Sequence, residues 1–564
     1  MDSAGKVATV AASNGGILSR ERIIARPGFN RWLVPPADHL CIGMAYGFSV
    51  FWLPLSQAVG IAAGVKVPSC AAGATTFWEK AQGTLTALTA RNCEWTQFDL
   101  GWMYTLFFML LGSSAAIWGG WLEHAGPRKA GVIAAFCWCG LMISAIGVRT
   151  HQLWMLWLGS GVLGGIGLGL GYISPVSTLI KWFPDRRGMA TGMTIMGFGG
   201  GAMIGSPLAN LLMDHFKTPV SVGVWETFVV LGLIYFVYMT SGAFGYRLPP
   251  EGWSPDGWTA PFRQKAMISS NHVALKDAHK TLQFWLIWAV LCLNVSASIW
   301  IIGAASAMLQ ETFGGALFHD PSVGFSQFSD AQKTLAAAIG GGFVGLFSLF
   351  NIGGRFFWAT LSDSIGRKTT YFVFFLLGML CYSAASTLAG MKAVGIFAAA
   401  FCVIASMYGG GFATVPAYLA DIFGARYVGA IHGRLLAAWS TAGVIGPVIV
   451  NYLHDTQMAE GVSRDQIYGV IFYVLAALLA AGFVCNTLIR PVKAKWHLAE
   501  EKGKKPAGHA TVFGAISACE IGRGSLRSLW PGRRSGFRFP GASGRRSRTR
   551  RKYSYDGPDI RTAP

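Results

Sequence analysis

Charged residues are scarce in this chain. Lys, Arg, Asp and Glu together make up 13% of its 564 residues, whereas ordinary soluble domains contain about 25%. The sequence also lacks an H-E-x-x-H motif, a phosphate-binding P-loop and any Cys/His cluster with metal-ligand spacing, so we predict no enzyme, no metal site and no cofactor. Asp and Glu are absent from the middle of every long apolar stretch, which argues against a dedicated carboxylate proton relay.

Apolar residues are abundant instead, at 52% of the chain. Stretches of about 20 apolar residues, long enough to cross a bilayer, recur along the sequence. We therefore predict an all-α integral membrane protein that contacts lipid through twelve transmembrane helices, at residues 36–60, 98–121, 130–148, 153–178, 189–213, 224–246, 283–307, 335–360, 370–390, 394–418, 429–452 and 467–489.

The chain contains an internal duplication. Two polar loops, GGWLEHAGPRK at 119–129 and the end of FNIGGRFFWATLSDSIGRK at 350–368, share one layout displaced by 240 positions. The displacement pairs Glu123 with Asp363, Gly126 with Gly366, Arg128 with Lys368, Phe183 with Phe423, and Pro207 with Pro447. We predict two pseudo-symmetric six-helix halves at 32–247 and 283–490, a linker at 248–282, and tails at 1–31 and 491–564.

Basic residues predict the orientation. Lys and Arg concentrate in loops on one side of the twelve-span scheme, and short loops with this bias are cytoplasmic. Both termini fall on that side, in a bacterial cytoplasmic membrane. Cys70 and Cys93 lie in the first loop on the opposite side. A disulfide fits there if that compartment is oxidising, and two free thiols fit otherwise.

The basic excess does not indicate nucleic-acid binding. The formal net charge is +20, yet residues 501–564 alone hold 15 Lys/Arg against 4 Asp/Glu. This tail has no apolar periodicity, and its composition is typical of a disordered segment. We predict a solvated tail, with binding to lipid or RNA as the alternative, and no nucleic-acid partner for the protein as a whole.

Arg355 is the strongest functional candidate. It lies among apolar and small residues in the eighth predicted span, where a charge costs about a few kcal/mol or more. At the displacement of 240 its counterpart is Ala115. Because one half is built without the arginine, the scaffold does not require it, and we predict that Arg355 contacts the substrate.

Four aromatic residues are further candidates for the substrate site. Tyr46, Tyr172, Tyr408 and Trp439 lie within the first, fourth, tenth and eleventh predicted spans. Each is able to line a cavity and offer a hydroxyl or an indole N–H. Packing in the helix bundle is the alternative for each of them.

The two loops resemble the Gly-x-x-x-Asp-Arg-x-Gly-Arg-Arg motif of the major facilitator superfamily. Glu123 and Asp363 stand at the acidic position, while His124 and Ser364 replace the arginine, and Ala359 replaces a glycine. The resemblance implies two six-helix halves that alternate in access. We assign conformational gating to the loop residues Glu123, Gly126, Arg128, Asp363, Gly366, Arg367 and Lys368.

More narrowly, AYGFSVFWLPL, GYISPVSTLIKWFPDRRGMATG, GRFFWATLSDSIGRK and GGGFATVPAYLADIFGARYVGAIHGRLLAAWSTAGVIGP resemble the oxalate/formate antiporter family over roughly residues 30–492. This implies a central cavity and small carboxylate substrates. In the oxalate carriers of that family two basic residues face the substrate. Arg355 matches the first, and Trp439 stands where the second, a lysine, is expected.

A single arginine favours a single carboxylate. One guanidinium and one carboxylate form a neutral complex with two parallel hydrogen bonds, so we predict that the substrates are monocarboxylates such as formate, lactate or pyruvate, rather than oxalate. We further predict that the protein is a monomer and works as an antiporter or as a proton symporter. Protons are a second candidate partner, with His432 as one site for them. The rival predictions are a carrier of neutral molecules or drugs, and a sensor that does not transport.

Overall fold

The computed structural model describes residues 16–34, 41–65, 67–74, 76–258, 267–269, 271–320, 323–324, 327–463 and 466–498. The predicted N-terminal tail is therefore described only from residue 16, and the predicted C-terminal tail only up to residue 498.

The described chain is helical. Its α-helices include α1 (Gln97–Ala125), α2 (Pro127–Trp138), α3 (Gly140–Arg149), α4 (Gly164–Trp182), α5 (Arg187–Phe216), α6 (Val224–Gly245), α7 (Leu282–Phe313), α8 (Asp330–Ile365), α9 (Arg367–Gly390), α10 (Val394–Phe423), α11 (Val428–Leu435), α12 (Ala437–Ala459) and α13 (Ile467–Leu488). Within the described residues, 10 helical stretches are long and apolar enough to cross a membrane, and they coincide with ten of the twelve predicted spans.

The first and eighth predicted spans are not among these stretches. The eighth corresponds to α8, a helix of 36 residues that carries Arg355. The first is not one regular helix but a 3-10 helix, Gly43–Phe51, followed by the short α-helices Trp52–Leu55 and Ala58–Ala63. This first segment lies tightly on α5: a Cβ added at Gly43 would stand 2.1 Å from the carbonyl oxygen of Phe198. Close backbone contact of this kind requires glycine.

The displacement of 240 residues is visible in the helix boundaries. α1 and α8 each end one residue before a glycine, and α2 and α9 each begin one residue after it. These glycines, Gly126 and Gly366, have φ angles of 85° and 91°. Side chains disfavour that region of backbone space, so the glycine of the repeated loop is a conformational requirement. We call this end of the bundle the Asp363 end, and the opposite end, which carries Cys70 and Cys93, the disulfide end.

Arg128 and Lys368, a further pair of the repeated loops, each bond to the last helix of their own half. Arg128 donates from Nη2 to the carbonyl oxygen of Phe244, at the end of α6, over 3.1 Å. Lys368 donates from Nζ to the carbonyl oxygens of Thr487 and Ile489, at the end of α13, over 2.9 and 2.8 Å. A cation at a helix C-terminus satisfies orphaned carbonyls and complements the helix dipole. Arg128 and Lys368 therefore each stabilise their own half.

Candidate functional site

Arg355 lies at the centre of the bundle. It occupies α8, which packs against α5 and α10, and only 1% of the residue is exposed. Its Nε donates to Oδ1 of Asn351 over 3.0 Å, and its Nη1 donates to the carbonyl oxygen of Ile195 over 3.4 Å. Nη2 is buried, and no described residue bonds to it. No described carboxylate forms an ion pair with Arg355, so its charge is solvated only by neutral groups.

Two phenylalanines from opposite halves flank the guanidinium. Its Cζ lies 5.5 Å from the ring centroid of Phe198 on α5 and 5.9 Å from that of Phe412 on α10. Aromatic faces attract a cation by about 0.5–2 kcal/mol and present no acidic group to it. The two rings therefore hold the charge in place, and neither gives Nη2 a hydrogen-bond partner.

The structure brings the four predicted aromatic residues to this same place. The hydroxyl oxygens of Tyr46 and Tyr408 are 2.9 Å apart and share a hydrogen bond across the two halves. The ring of Tyr46 packs on Phe198, at 4.9 Å between centroids, and Tyr172 packs on Phe198 at 5.8 Å.

Trp439 is the fourth of the predicted aromatic residues at the Arg355 site. Its ring lies 4.7 Å from Phe412 and 5.7 Å from Tyr172, and no described residue accepts a hydrogen bond from its buried Nε1.

Glycines make room for the arginine. A Cβ added at Gly199 on α5 would stand 3.0 Å from Nε of Arg355, and one at Gly409 on α10 would stand 2.9 Å from its Cγ. At Gly409 the same atom would also meet the carbonyl oxygen of Asn351 at 2.3 Å. The glycine runs in α5 and α10 thus form the walls of the Arg355 site, which explains their position in the sequence.

A cavity of about 500 Å³ begins beside the arginine and extends toward the disulfide end. The first segment, α5 and α8 line it, and Tyr46 and Asn351 lie at its inner limit. None of the described residues that line it is charged; Ser206 and Ser348 are polar, as are Tyr46 and Asn351. The amide of Asn351 therefore connects the cavity to the buried Nε of Arg355.

At the Asp363 end the two halves are joined by directional bonds. The carboxylate of Asp363 accepts hydrogen bonds from the backbone N–H groups of Gly188 and Met189, at 2.9 and 2.8 Å, in the first turn of α5. Asp421 pairs with Arg187 of the other half at 3.1 Å and with Arg367 of its own half at 3.2 Å. A carboxylate at a helix N-terminus satisfies unpaired donors and complements the dipole. The structure is closed at this end.

Cys70 and Cys93 form a disulfide, with their Cα atoms 5.0 Å apart. The carbonyl of Cys93 accepts a hydrogen bond from Nε2 of His151 over 2.7 Å, and the imidazole stacks on Trp95 at 4.3 Å. Burial lowers the pKa of His151 from its usual value of 6.5, against the smaller opposing effects of the Cys93 carbonyl and Glu94. The disulfide is thus part of a packed cap over the first half.

Sequence reasoning did not assign four residues of this centre to the substrate site. They are Asn351, Phe198, Phe412 and His432, the last proposed only as a proton site. For Asn351 a signal exists, because it precedes Arg355 by one helical turn and shares its face. The two phenylalanines give no such signal in a chain that contains 37 of them.

Two helical halves around a buried cation, with an access cavity on one side and a bonded closure on the other, define a multi-pass membrane protein of the transporter class. The sequence model of the Major Facilitator Superfamily matches residues 39–447 and 296–536. The chain belongs to this superfamily; it is a secondary transporter and not an enzyme.

Individual relatives are distant. The chain is 27% identical over 410 residues to the oxalate:formate antiporter of Oxalobacter formigenes, covering 71% of this chain and 85% of that protein. It is 22% identical over 459 residues to apicoplast pyruvate carrier 1 of Toxoplasma gondii, covering 71% and 76%. A shorter match of 122 residues, 28% identical, covers 21% of this chain and 25% of human monocarboxylate transporter 11.

Solved structures show the same fold. The proton:xylose symporter XylE superposes with a TM-score of 0.51 at 13% identity, covering 80% of this chain and 95% of the symporter. The human organic anion transporter MFSD10 superposes with a TM-score of 0.51 at 14% identity, covering 82% and 100%.

Proposed function

We propose that this transporter carries small carboxylate anions and favours monocarboxylates such as formate, lactate or pyruvate over oxalate. The observation that carries the proposal is Arg355, a cation with 1% of its surface exposed, no described carboxylate partner and an unsatisfied Nη2. A buried charge left in this state is costly, and a carboxylate ligand removes the cost.

The charge count favours a monoanion. One carboxylate on one guanidinium gives a neutral pair, whose hydrogen bonds are strong in a site without water. A dianion would leave one negative charge without a fixed cation among the residues around Arg355, where Trp439 supplies only an N–H group. The names of the oxalate:formate antiporter and of the apicoplast pyruvate carrier support a small carboxylate in general.

The four predicted aromatic residues, Arg355 and the additional residue Asn351 each have a role in this proposal. Arg355 binds the carboxylate, Asn351 orients the guanidinium, and the hydroxyls of Tyr46 and Tyr408 donate to the rest of the substrate. Tyr172 and Trp439 form the wall that excludes water.

We place the Asp363 end in the cytoplasm and the disulfide end outside a bacterial cytoplasmic membrane. The substrate then enters through the 500 Å³ cavity. It leaves when α5 separates from α8 and α1 separates from α11. The repeated loops gate this movement, and one chain acts alone, either as an exchanger or as a proton symporter.

Exchange in proteoliposomes tests the proposal. Vesicles with purified protein are loaded with unlabelled pyruvate, formate or oxalate, and uptake of each labelled anion is measured. We expect pyruvate and formate to exchange faster than oxalate. In the Arg355→Gln variant, two charge-assisted hydrogen bonds of about 1.5–3 kcal/mol each are lost, so uptake should fall roughly a hundredfold or more.

The Arg355→Lys variant is the matched control, because it keeps the charge and loses the fork of donors. Its uptake should lie between those of the parent and the glutamine variant. Preference for oxalate over every monoanion would contradict the charge argument. Uptake of a neutral solute that does not change in Arg355→Gln would instead support a neutral-substrate carrier, and absence of any flux would support a sensor.

A further inference from the structure

Trp439 carries a second buried donor at the Arg355 site. It lies in the first turn of α12, 1% of the residue is exposed, and no described residue accepts a hydrogen bond from its Nε1. Nη2 of Arg355 is buried in the same way and bonds to no described residue. The site thus contains one cationic and one neutral N–H donor, both withdrawn from water and both without an acceptor in the part of the chain that the structure describes.

The same two phenylalanines border both donors. The ring centroid of Phe198 lies 5.5 Å from Cζ of Arg355 and 5.6 Å from the ring of Trp439. The ring centroid of Phe412 lies 5.9 Å from that Cζ and 4.7 Å from the indole. Phe198 belongs to the first half and Phe412 to the second. The guanidinium and the indole therefore meet one pair of rings at the boundary between the halves, where the substrate is proposed to bind.

The neighbours of the indole are aromatic rings. Besides the two phenylalanines, Phe108, Tyr172 and Tyr46 lie 5.7, 5.7 and 6.4 Å from it. A phenyl ring has no oxygen that accepts a hydrogen bond, and the hydroxyl of Tyr46 already shares one with the hydroxyl of Tyr408. Because a buried donor without an acceptor is unfavourable, a ligand that brings an acceptor to Nε1 gains binding energy there.

Bonds to the other half hold the indole in this position. Ser440, the next residue, donates from Oγ to the carbonyl oxygen of Phe108 on α1 over 2.6 Å. The helices are close at this point, since a Cβ added at Gly112 on α1 would collide with the same Oγ. The first turn of α12 is therefore fixed against α1, and the donor of Trp439 is preorganised before the substrate arrives.

We propose that Trp439 binds the substrate together with Arg355 and selects monocarboxylates that carry an uncharged oxygen next to the carboxylate. The guanidinium binds the carboxylate, and Nε1 donates to the oxygen of a 2-oxo or 2-hydroxy group. An indole is a donor without charge, so it satisfies an oxygen atom but balances no second negative charge. The inference rests on the proposed function and names its substrate class: 2-oxo and 2-hydroxy monocarboxylates, rather than formate or unsubstituted acids.

An analogue without the oxygen tests the role of the donor. A site that donates to a substrate oxygen rejects an analogue that lacks it, because the buried donor then stays unpaired in the complex. Methacrylate is such an analogue of pyruvate, since a CH2 group replaces the 2-oxo oxygen while the planar shape and the carboxylate remain. We expect the parent protein to bind pyruvate roughly tenfold or more tightly than methacrylate.

Competition in the exchange assay measures this preference. Proteoliposomes loaded with unlabelled pyruvate take up labelled pyruvate, and the inhibition constants of external pyruvate and methacrylate are determined. In Trp439→Phe the ring remains and the N–H is lost. The constant for pyruvate should rise roughly tenfold and that for methacrylate should stay near its parental value, so their ratio should fall to about one.

Two further proteins support the comparison. Trp138→Phe on α2 is the matched control, because it removes another buried indole N–H to which no described residue bonds, in contact with Tyr235 at 5.6 Å. It should keep the parental ratio. Replacement of Trp439 by β-(3-benzothienyl)alanine exchanges the N–H for sulfur and keeps the two-ring shape. It should reproduce the loss of preference even if the smaller phenylalanine disturbs the packing.

Three results overturn the inference. The parent protein binds methacrylate as tightly as pyruvate, the benzothienyl protein keeps the parental ratio, or it binds both acids more weakly by the same factor, which would assign Trp439 to packing. Failure of the parent to exchange any carboxylate overturns the proposed function, and the inference with it.

Discussion

Glu123 and Asp363 occupy equivalent positions in the two halves, yet they hold the same end of the bundle in different ways. Asp363 bonds across the halves to the backbone N–H groups of Gly188 and Met189. Glu123 bonds within its own half to Lys181, at 2.6 Å, and no described residue bonds to its buried Oε1. The contact between α8 and α5, which we call the Asp363 crossing, is thus closed by directional hydrogen bonds. The contact between α1 and α11, which we call the Glu123 crossing, is closed by packing.

The difference shows which of the two crossings contributes more to the stability of the closed Asp363 end. At the Asp363 crossing a charged acceptor caps α5 and is supported by Arg367. At the Glu123 crossing a Cβ added at Gly429 would stand 2.7 Å from the unsatisfied Oε1, so α11 lies close to the carboxylate without being capped by it. We expect α11 to separate from α1 at lower cost than α5 separates from α8.

Removal of the two carboxylates should therefore have unequal effects. In Asp363→Asn the bonds to Gly188 and Met189 lose their charge, and each charge-assisted hydrogen bond contributes about 1.5–3 kcal/mol. Hydrogen exchange of the first turn of α5, followed by mass spectrometry in nanodiscs, should accelerate roughly tenfold or more, since about 1.4 kcal/mol corresponds to a factor of ten. In Glu123→Gln the first turn of α11 should change by less. Equal acceleration in both variants would remove the asymmetry.

The loops at the disulfide end differ between the halves as well. Cys70 and Cys93 close a loop in the first half, whereas Gln310 and Lys333 stand at the equivalent positions in the second. A cross-link over 23 residues stabilises a fold by about 3 kcal/mol in the chain-entropy account.

We expect Cys70→Ser, or reduction of the parent protein, to lower the melting temperature in detergent. Intact mass should rise by two hydrogens on reduction of the parent and remain constant in the variant. An unchanged melting temperature in a sample shown by mass to be reduced would mean that the cap around His151 and Trp95 holds without the disulfide.

Each crossing contains a close-packed glycine, and substitution of these glycines by alanine compares the tightness of the two crossings. An added Cβ at Gly188 meets the backbone oxygen of Ala359 at 2.1 Å, while at Gly429 it meets side-chain atoms at 2.6 and 2.7 Å. Backbone yields less than side chains, and overpacking costs about 1–3 kcal/mol.

Gly188→Ala should therefore lower the melting temperature more than Gly429→Ala. Gly353→Ala on α8 is the control, because nothing lies within 4 Å of the added atom there, and alanine favours the helix. If Gly429→Ala were the more damaging change, the Glu123 crossing would be the tighter one.

The sequence predicts the fold far better than it predicts these contacts. Apolar length and the displacement of 240 residues are properties of the chain itself, and they predicted the all-α membrane architecture that the superfamily match confirms. The broken first span was not predicted, because its departure from a regular helix goes with close packing of Gly43 on α5, which hydropathy does not report.

The site shows the same limit. Arg355 was recognisable from the energetic cost of its position and from Ala115 in the other half. Phe198 and Phe412 became recognisable only when α5 and α10 were seen on either side of the guanidinium. Contacts between helices distant in sequence leave no local pattern, so the partners of a known residue are harder to predict than the residue itself.

The smallest expected effect on stability concerns His151, in the turn between α3 and the next helix at the disulfide end. Its counterpart at the displacement of 240 lies one residue from Lys392, and both residues have positive φ angles, of 50° and 53°. His151 donates to the carbonyl of Cys93, and Lys392 donates to that of Thr312 at 3.2 Å. Burial lowers the pKa of His151 below 6.5, so between that value and its lower folded pKa the unfolded chain binds more protons than the folded one. Stability at this turn is full above pH 6.5 and declines as the pH falls. The loss of melting temperature between pH 7.5 and 5.5 should therefore be smaller in His151→Gln than in the parent; an equal loss would assign the acid sensitivity to other groups.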